Sequence, residues 1–328
     1  MQKFVTFGET MVQYNAEYTG EFDPNEQYFL DVAGAESNVA INLSKITKNH
    51  VEIFWISRLG EDEAGHLIHN TLSKEIKIDA PIYKGEQTGI SYLNHHADGR
   101  HLKRYLREGS AASEIPFQQV KKHLEGADIL HVTGITPALS KTNLETTFQI
   151  IELCSEMDIP VCLDVNYREQ LWTPEQAKNT LNRLLPHIDI FKVGRDEAET
   201  IWQLKYSADE YAAYFYQKLS MLTIVTDGKS GAVLFNGTDY IREKTIEIEV
   251  VDPIGAGDAF VAGFLGTLMR HDIPLRQLLK SNSRNQITLT KALKVGNICG
   301  ALTCTKKGDT AAMPTLSEIE DFVGLLES

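Results

Sequence analysis

The stretch with the clearest chemical potential is a glycine-rich turn followed at once by an aspartate. Gly255, Ala256 and Gly257 precede Asp258, and the small and apolar residues after it have helical spacing. Such a turn leaves backbone N–H groups without intrahelical acceptors, and the helix dipole favours an anion such as phosphate there. Asp258 cannot bind phosphate, but it could accept the proton of an attacking hydroxyl. These residues alone fit equally well a strand-to-helix connection with Asp258 as N-cap.

The elements around this turn indicate an α/β fold. Strands are predicted at 3–7, 51–58, 128–133, 160–165, 188–193, 221–226, 231–236 and 245–251. Helices are predicted at 141–157, 174–185, 195–204, 208–219, 256–271, 274–281 and 290–304, with a polar loop at 281–285. Strands that alternate with helices in this way predict a mainly parallel sheet. Residues roughly 10–32 and 82–108 instead predict a small antiparallel sheet, and we expect it to form a lid that excludes water from the site.

Composition narrows the range of partners. The chain has 328 residues, 42% of them hydrophobic, and a formal net charge of −13. Its length allows two domains or one large α/β unit. The acidic balance argues against nucleic acid or an anionic membrane as partner, although a local basic pocket remains compatible with it. The start of the chain lacks the pattern of a signal peptide, and the four cysteines show no paired spacing. A cytoplasmic location is therefore expected.

Several polar residues follow strands, at the edge of the sheet where α/β proteins bind ligands. Arg168 could face an anion there, or form a surface salt bridge. Tyr105 and Arg107 lie two residues apart on a predicted strand and so share a face, where both could meet a substrate carboxylate. A solvated basic face is the alternative. Gly34 could allow a ligand to approach the backbone, with Asn38 at the same helix end, or the two could form only a turn and a cap.

A second glycine-rich segment does not have the spacing of a P-loop. Gly228-Lys229-Ser230 resembles the end of that motif, but position 223 is threonine where glycine is required. The segment from Thr226 to Gly231 is therefore predicted to be a turn between strands that borders a nucleotide at most.

Taken together, these stretches resemble the ribokinase-like (PfkB) family of sugar kinases over essentially the whole chain. Asp252 to Phe260 is similar to the family's C-terminal signature, and Gly34 to Asn38 to its N-terminal one. Gly60, Asp62 and Gly65 match its G-x-D-x-x-G element. The resemblance implies a single kinase domain over residues 1–328. It also implies a three-layer α/β/α sandwich with a β lid, and a homo-oligomer, often a dimer through that lid.

The resemblance also implies ATP and Mg²⁺, with room for a monovalent cation, and assigns roles to individual residues. Asp258 becomes the catalytic base, and Gly255, Ala256 and Gly257 form the anion hole. The nucleotide is expected to contact Thr226, Gly228, Gly231 and Asn297. Glu197 is expected to act on the metal through water, although Gly194 stands where the family often has asparagine. Pro253 likewise replaces a usual threonine.

On the substrate side the chain resembles 2-keto-3-deoxygluconate kinases. The stretches that carry this resemblance are 34–38, 105–113, 164–172 and 308–314. It implies substrate contacts from Gly34, Asn38, Tyr92, Tyr105, Arg107, Arg168 and Asp309. Two arginines at the site suit a carboxylate, because a neutral hexose would leave a buried guanidinium unpaired at a cost of roughly 1–3 kcal/mol. A fructokinase, and a sugar-binding regulator without catalysis, remain alternatives.

Overall fold

The computed structural model describes residues 1–48, 50–98, 100–218, 222–271, 273–280, 283–308 and 313–327. Its strands are β1 (Gln2–Phe7), β2 (Met11–Thr19), β3 (Tyr28–Ala33), β4 (Val51–Ile56), β5 (Leu59–Gly60), β6 (Lys77–Asp79), β7 (Ile82–Tyr83), β8 (Ile90–His95), β9 (His101–Leu106), β10 (Ile129–Thr133), β11 (Val161–Asp164), β12 (Ile190–Gly194), β13 (Leu222–Thr226), β14 (Ala232–Phe235) and β15 (Tyr240–Glu243). Its helices are α1 (Ala35–Thr47), α2 (Glu63–Leu72), α3 (Phe117–Lys121), α4 (Thr136–Leu139), α5 (Lys141–Glu156), α6 (Pro174–Leu184), α7 (Arg195–Trp202), α8 (Ala208–Tyr216), α9 (Ala256–Met269), α10 (Leu275–Leu278), α11 (Ser283–Thr303) and α12 (Leu316–Glu327).

A nine-stranded sheet forms the central layer, in the order β15-β14-β13-β12-β11-β10-β1-β4-β6. The strands from β13 to β6 in this order all run parallel, and β14 and β15 add an antiparallel edge. Two hydrophobic clusters occupy the two faces of the sheet, one with α1, α9 and α11 and the other with α5, α6 and α8. Parallel strands covered on both faces read as continuous apolar runs. The predicted three-layer α/β/α sandwich is confirmed.

The second sheet is small, with the order β3-β2-β8-β9. β2–β3 and β8–β9 are antiparallel pairs, as the sequence predicts, but β2 and β8 pair in parallel. Each hairpin is local in sequence, whereas the pairing of one hairpin with the other is not, so turn signals could not give its direction. This small sheet lies beside the carboxyl ends of the central strands and contributes residues to the cleft described below.

Two sequence predictions next to the site are wrong. Residues 244–250 form no strand, and Val250 and Val251 are 51% and 48% exposed. Their apolar alternation signals extended backbone, but the sheet edge is taken by β15, which was not predicted. The helix predicted at 290–304 begins earlier, at Ser283, so residues 283–285 are helical rather than loop. No helix in the described part of the chain combines the length and apolarity needed to cross a membrane.

Candidate active site

The glycine-rich turn leads into α9, as predicted. Gly255 has φ +81°, a left-handed conformation that favours glycine, and the helix begins at Ala256. The N–H groups of the first turn have no acceptors inside the helix, so together with its dipole they can hold an anion. Asp258 is the third helical residue and Gly255 is the N-cap, so reading Asp258 as the N-cap is wrong.

Asp258 is held by two amide side chains and is 7% exposed. Asn38 Nδ2 donates to its Oδ2 at 2.9 Å, and Asn166 Nδ2 donates to its Oδ1 at 3.1 Å. Each carboxylate oxygen can accept more than one hydrogen bond. Asp258 is therefore fixed in orientation and can still accept a proton from a hydroxyl placed against it.

Two clefts meet at this turn. The first cleft, of about 680 Å³, is lined by Glu9, Met11, Ala33, Gly34, Ala35, Asn38, Leu93, His101, Lys103, Tyr105, Arg107, Ile135, Asn166, Tyr167, Arg168, Glu169, Gln170, Lys192, Gly194, Asp196, Glu197, Thr200, Thr226, Pro253, Ile254, Gly255, Gly257 and Asp258. The second cleft, of about 750 Å³, is lined by Thr226, Gly228, Lys229, Gly231, Lys244, Thr245, Ile246, Glu247, Ile248, Val250, Pro253, Ala256, Gly257, Phe260, Asn297, Gly300, Ala301 and Cys304. Both clefts border Thr226, Pro253 and Gly257. A group bound at the turn is thus reachable from two ligand sites.

The two arginines of the first cleft have different surroundings. Arg107 forms an ion pair with Glu9: its Nε donates to Glu9 Oε2 at 2.6 Å, and the two side chains are 8% and 0% exposed. Ser110 Oγ donates to the other oxygen of Glu9. Arg168 Nη1 donates to the carbonyl of Tyr167 at 2.9 Å, and it has no ion-pair partner within the described ranges. Arg168 is thus the arginine of this cleft without a carboxylate partner, but it is only half-buried, so leaving its guanidinium unpaired beside a neutral sugar costs less than for a buried one.

Comparison with known proteins identifies the family of this chain and the class of reaction that it catalyses. The profile of the pfkB family of carbohydrate kinases matches residues 1–316. The chain belongs to this family. It is therefore a carbohydrate kinase, an enzyme that transfers a phosphoryl group to a hydroxyl group of a sugar, and the two clefts are its candidate ligand sites.

Relatives within the pfkB family act on different sugars. A 2-dehydro-3-deoxygluconokinase of Bacillus subtilis (strain 168) is 29% identical over 97% of this chain and 94% of its own length. A probable fructokinase-2 of Arabidopsis thaliana is 28% identical over 97% of this chain and 95% of its own length. Sequence identity to these relatives therefore does not decide whether the substrate of this chain is an acidic or a neutral sugar.

Solved structures agree on the fold. The PfkB protein of Polaromonas sp. JS666 superposes with a TM-score of 0.81 at 27% identity, covering 98% of this chain and 99% of that one. The 2-dehydro-3-deoxygluconokinase of Thermotoga maritima superposes with a TM-score of 0.83 at 23% identity, covering 98% of each chain. The ribokinase-like fold is confirmed.

Most residues that the family resemblance singles out converge on the two clefts. Gly34, Asn38, Tyr105, Arg107 and Arg168 line the first cleft with the Gly255–Asp258 turn, while Thr226, Gly228, Gly231 and Asn297 line the second. Asn297 Nδ2 donates to the carbonyl of Glu243 at 2.8 Å, which fixes its side chain at the cleft wall. At Gly34 a Cβ would lie 2.4 Å from the carbonyl oxygen of Glu9, so packing alone already requires glycine there.

Tyr92 is not brought to the site. It stacks on Tyr14 with ring centroids 4.9 Å apart and meets Phe22 edge-on, on the face of the small sheet away from the cleft. Successive strand residues point to opposite faces, so its neighbour Leu93 lines the first cleft instead. The position of Tyr92 therefore does not support the prediction that its side chain contacts the substrate. Asp309 lies outside the described residues.

Glu197 is anchored by backbone amides. Its Oε1 accepts from the N–H of Tyr167 and its Oε2 from the N–H of Gly194, both at 2.7 Å. Burial raises the pKa of Glu197, while Lys192 opposes that shift. In the described ranges no group of three or more histidine, cysteine or acidic residues is arranged to hold a metal ion. A role for Glu197 on a metal through water remains a prediction.

Three residues of the site escaped the sequence reasoning or received no firm role. Glu9 directly follows the β1 strand and Gly8, so an acid at a strand end was an available signal. Asn166 follows the β11 strand in a short run of polar residues, which by itself indicates only a turn, and its side chain donates to Asp258. Lys192 lies in the middle of the apolar β12 strand, where a lysine is itself unusual.

Proposed function

We propose that the protein is an ATP-dependent kinase of a sugar acid, 2-keto-3-deoxygluconate, that forms 2-keto-3-deoxy-6-phosphogluconate. One observation carries this choice: Arg168 lines the first cleft and has no ion-pair partner in the described part of the chain. A guanidinium at that place can form two parallel hydrogen bonds with a carboxylate, and hydrogen bonds to charged groups contribute about 1.5–3 kcal/mol each. The 29% identical relative from Bacillus subtilis supports the same substrate.

The second cleft fits a nucleotide. Apolar side chains of Ile246, Ile248 and Phe260 offer a surface for a base, and the glycines 228 and 231 bring backbone close to a ligand. The first turn of α9 would hold the terminal phosphates of ATP at the border with the first cleft. Mg²⁺, when bound with the nucleotide, neutralises phosphate charge. It commonly keeps several water ligands, so it needs few protein ligands, and Glu197 faces the first cleft as one acceptor for such water.

The transfer itself follows from the position of Asp258. The terminal hydroxyl of the sugar acid gives its proton to Asp258 while its oxygen forms a bond to the γ-phosphorus. The bond between that phosphorus and the bridging oxygen breaks, and its electron pair stays on ADP. Asn38 and Asn166 keep the carboxylate aimed at the hydroxyl, and the amides of residues 255–257 stabilise the charge of the transferred group. The small sheet acts as the lid that excludes water.

A fructokinase is the second candidate, and the ion pair of Arg107 with Glu9 favours it. Because Glu9 already compensates that guanidinium, Arg107 can offer its remaining N–H groups to neutral hydroxyls without needing an anion. The relative from Arabidopsis thaliana supports this reading to the same degree. A sugar-binding regulator would keep the clefts and lack turnover.

The test is ADP release with purified protein, ATP and Mg²⁺ over a panel of acceptors. The panel contains 2-keto-3-deoxygluconate, gluconate, D-fructose and D-ribose. The proposal expects the highest kcat/KM with 2-keto-3-deoxygluconate. A preference for fructose would replace it by the fructokinase, and sugar binding without any ADP release would indicate the regulator.

A further inference from the structure

Lys192 is a charged residue on a central parallel strand, where side chains are usually uncharged. The residue lies between Phe191 and Val193 on β12 and is 6% exposed. In register it lies beside Asp164 on β11 and Ile224 on β13. A buried ammonium carries a desolvation cost that only good partners can offset.

The ammonium of Lys192 reaches the glycine turn. Its Nζ lies 3.0 Å and 3.1 Å from the two carboxylate oxygens of Asp164. A Cβ placed on Gly257 would lie 3.2 Å from the same Nζ, so the ammonium lies directly against the first turn of α9. Lys192 also lines the first cleft together with Gly257 and Asp258. Asp164 is therefore its partner on one side, and the anion-binding turn lies on the other.

Lys192 keeps its positive charge. Burial lowers its pKa, but the negative charges of Asp164, Glu197 and Asp258 outweigh that effect and raise the pKa above its ordinary value. It therefore does not serve as a proton donor or base at neutral pH. It is a fixed positive charge that is itself buried, and electrostatic interactions of a buried charge are stronger than those in solvent.

We propose that Lys192 is a further catalytic residue, whose ammonium binds a non-bridging oxygen of the phosphoryl group as it passes between the two clefts. A lysine acts on phosphate as a point charge with three rotatable N–H donors. The carboxylate of Asp164 can accept from part of these, which leaves a donor for the transferred group. Preorganised donors aimed at developing charge are a major source of rate enhancement in phosphoryl transfer. Lys192 neither gains nor loses a proton in this step.

The alternative is that Lys192 only compensates the buried charge of Asp164. Three variants separate the two roles: Lys192→Met, Asp164→Asn, and the double variant carrying both changes. Lys192→Met leaves a buried carboxylate unpaired and destabilises the fold, whereas the double variant removes both charges and restores much of that stability. Arg276→Met is the matched control, because it removes an ion pair with buried Asp189, and neither residue lines a cleft.

The first readout is the rate of transfer at saturating ATP. The double variant should keep a near-normal melting temperature and still lose about 10²–10³-fold in kcat, as expected for loss of one oxyanion donor. Arg276→Met should lower the melting temperature and leave kcat within about threefold. A double variant with a kcat within about threefold of the original protein would reduce Lys192 to charge compensation and overturn the proposal.

The second readout is binding without turnover, measured by calorimetry with ADP and with the β,γ-imido analogue of ATP. In the double variant the affinity for the analogue should fall at least tenfold while that for ADP changes less than about twofold. Equal losses for both nucleotides would contradict contact with the transferred group. This inference rests on the family's phosphoryl transfer and not on which sugar is bound, so it stands whether the acceptor panel favours the acid or fructose.

Discussion

The two clefts are lined by different types of residue. The second cleft presents mainly glycines, backbone and apolar side chains beside the charged Lys229, Lys244 and Glu247, and the side chain of Asn297 is held by its hydrogen bond to the carbonyl of Glu243. The first cleft presents charged side chains held by other charged side chains, as in the pairs of Arg107 with Glu9 and Lys192 with Asp164. A nucleotide site can be shaped by main-chain geometry alone, whereas choice among sugars depends on which charges remain uncompensated. The clefts therefore differ in how they respond to mutation.

The largest effect is expected where the clefts meet. Asp258→Asn removes the proton acceptor and should lower kcat by roughly 10²–10⁴-fold. Affinity for ADP should stay within about twofold, because the second cleft is formed by other residues. Steady-state rates and calorimetry measure the two quantities. Turnover close to that of the original protein would show that Asp258 is not the base.

Breaking a charge pair of the first cleft should cost both stability and selectivity. Glu9→Gln leaves the guanidinium of Arg107 without its carboxylate, at a cost of about 3–5 kcal/mol in the free energy of unfolding. The ratio of kcat/KM for sugar acid over fructose should rise, since an uncompensated cation is added. Asp209→Asn, in the exposed pair with Arg242, should cost less than about 1 kcal/mol. Equal costs in urea unfolding would contradict the distinction.

The stability of the fold is expected to fall in acid because of a buried histidine in the central sheet. His131 on β10 is fully buried, and burial lowers its pKa from 6.5 to about 4, although Asp164 opposes this shift. Between these two pH values the unfolded chain binds a proton that the folded chain does not, so stability is lost as the pH falls from 6.5 towards 4. The loss should approach about 3 kcal/mol. His131→Gln should remove that part of the pH dependence in urea unfolding, and His66→Gln, at an exposed position, should leave it intact.

In the second cleft, backbone geometry should matter more than charge. At Gly231 φ is +91° and a Cβ would lie 2.1 Å from the carbonyl oxygen of Glu243, whereas at Gly228 φ is +48° and a Cβ would meet nothing within 4 Å. Gly231→Ala should therefore cost about 2–3 kcal/mol and raise KM for ATP, with little change in sugar preference. Gly228→Ala should cost only about 1–2 kcal/mol. Indistinguishable KM values for ATP would count against this reading of the turn.

The difference between the two clefts, one shaped mainly by glycine turns and the other by pairs of charged side chains, explains which parts of the site the sequence could predict. Gly255–Asp258 and Gly228–Gly231 were recognisable because glycine at a tight turn is a local signal. The partners Lys192 and Asp164 are 28 residues apart and Arg107 and Glu9 are 98 apart, so their pairing depends on strand order, which alternation does not encode. The strand prediction at 245–251 was wrong for a related reason, since extended backbone becomes a strand only beside a free edge.

Selection of an acid by Arg168 is the central claim about the substrate, and one ratio tests it most directly. We compare kcat/KM for 2-keto-3-deoxygluconate over D-fructose in the original protein and in Arg168→Leu. The account predicts that the ratio falls at least about tenfold, with most of the change in KM for the acid, because a charge-assisted hydrogen bond is lost. An unchanged ratio would contradict it.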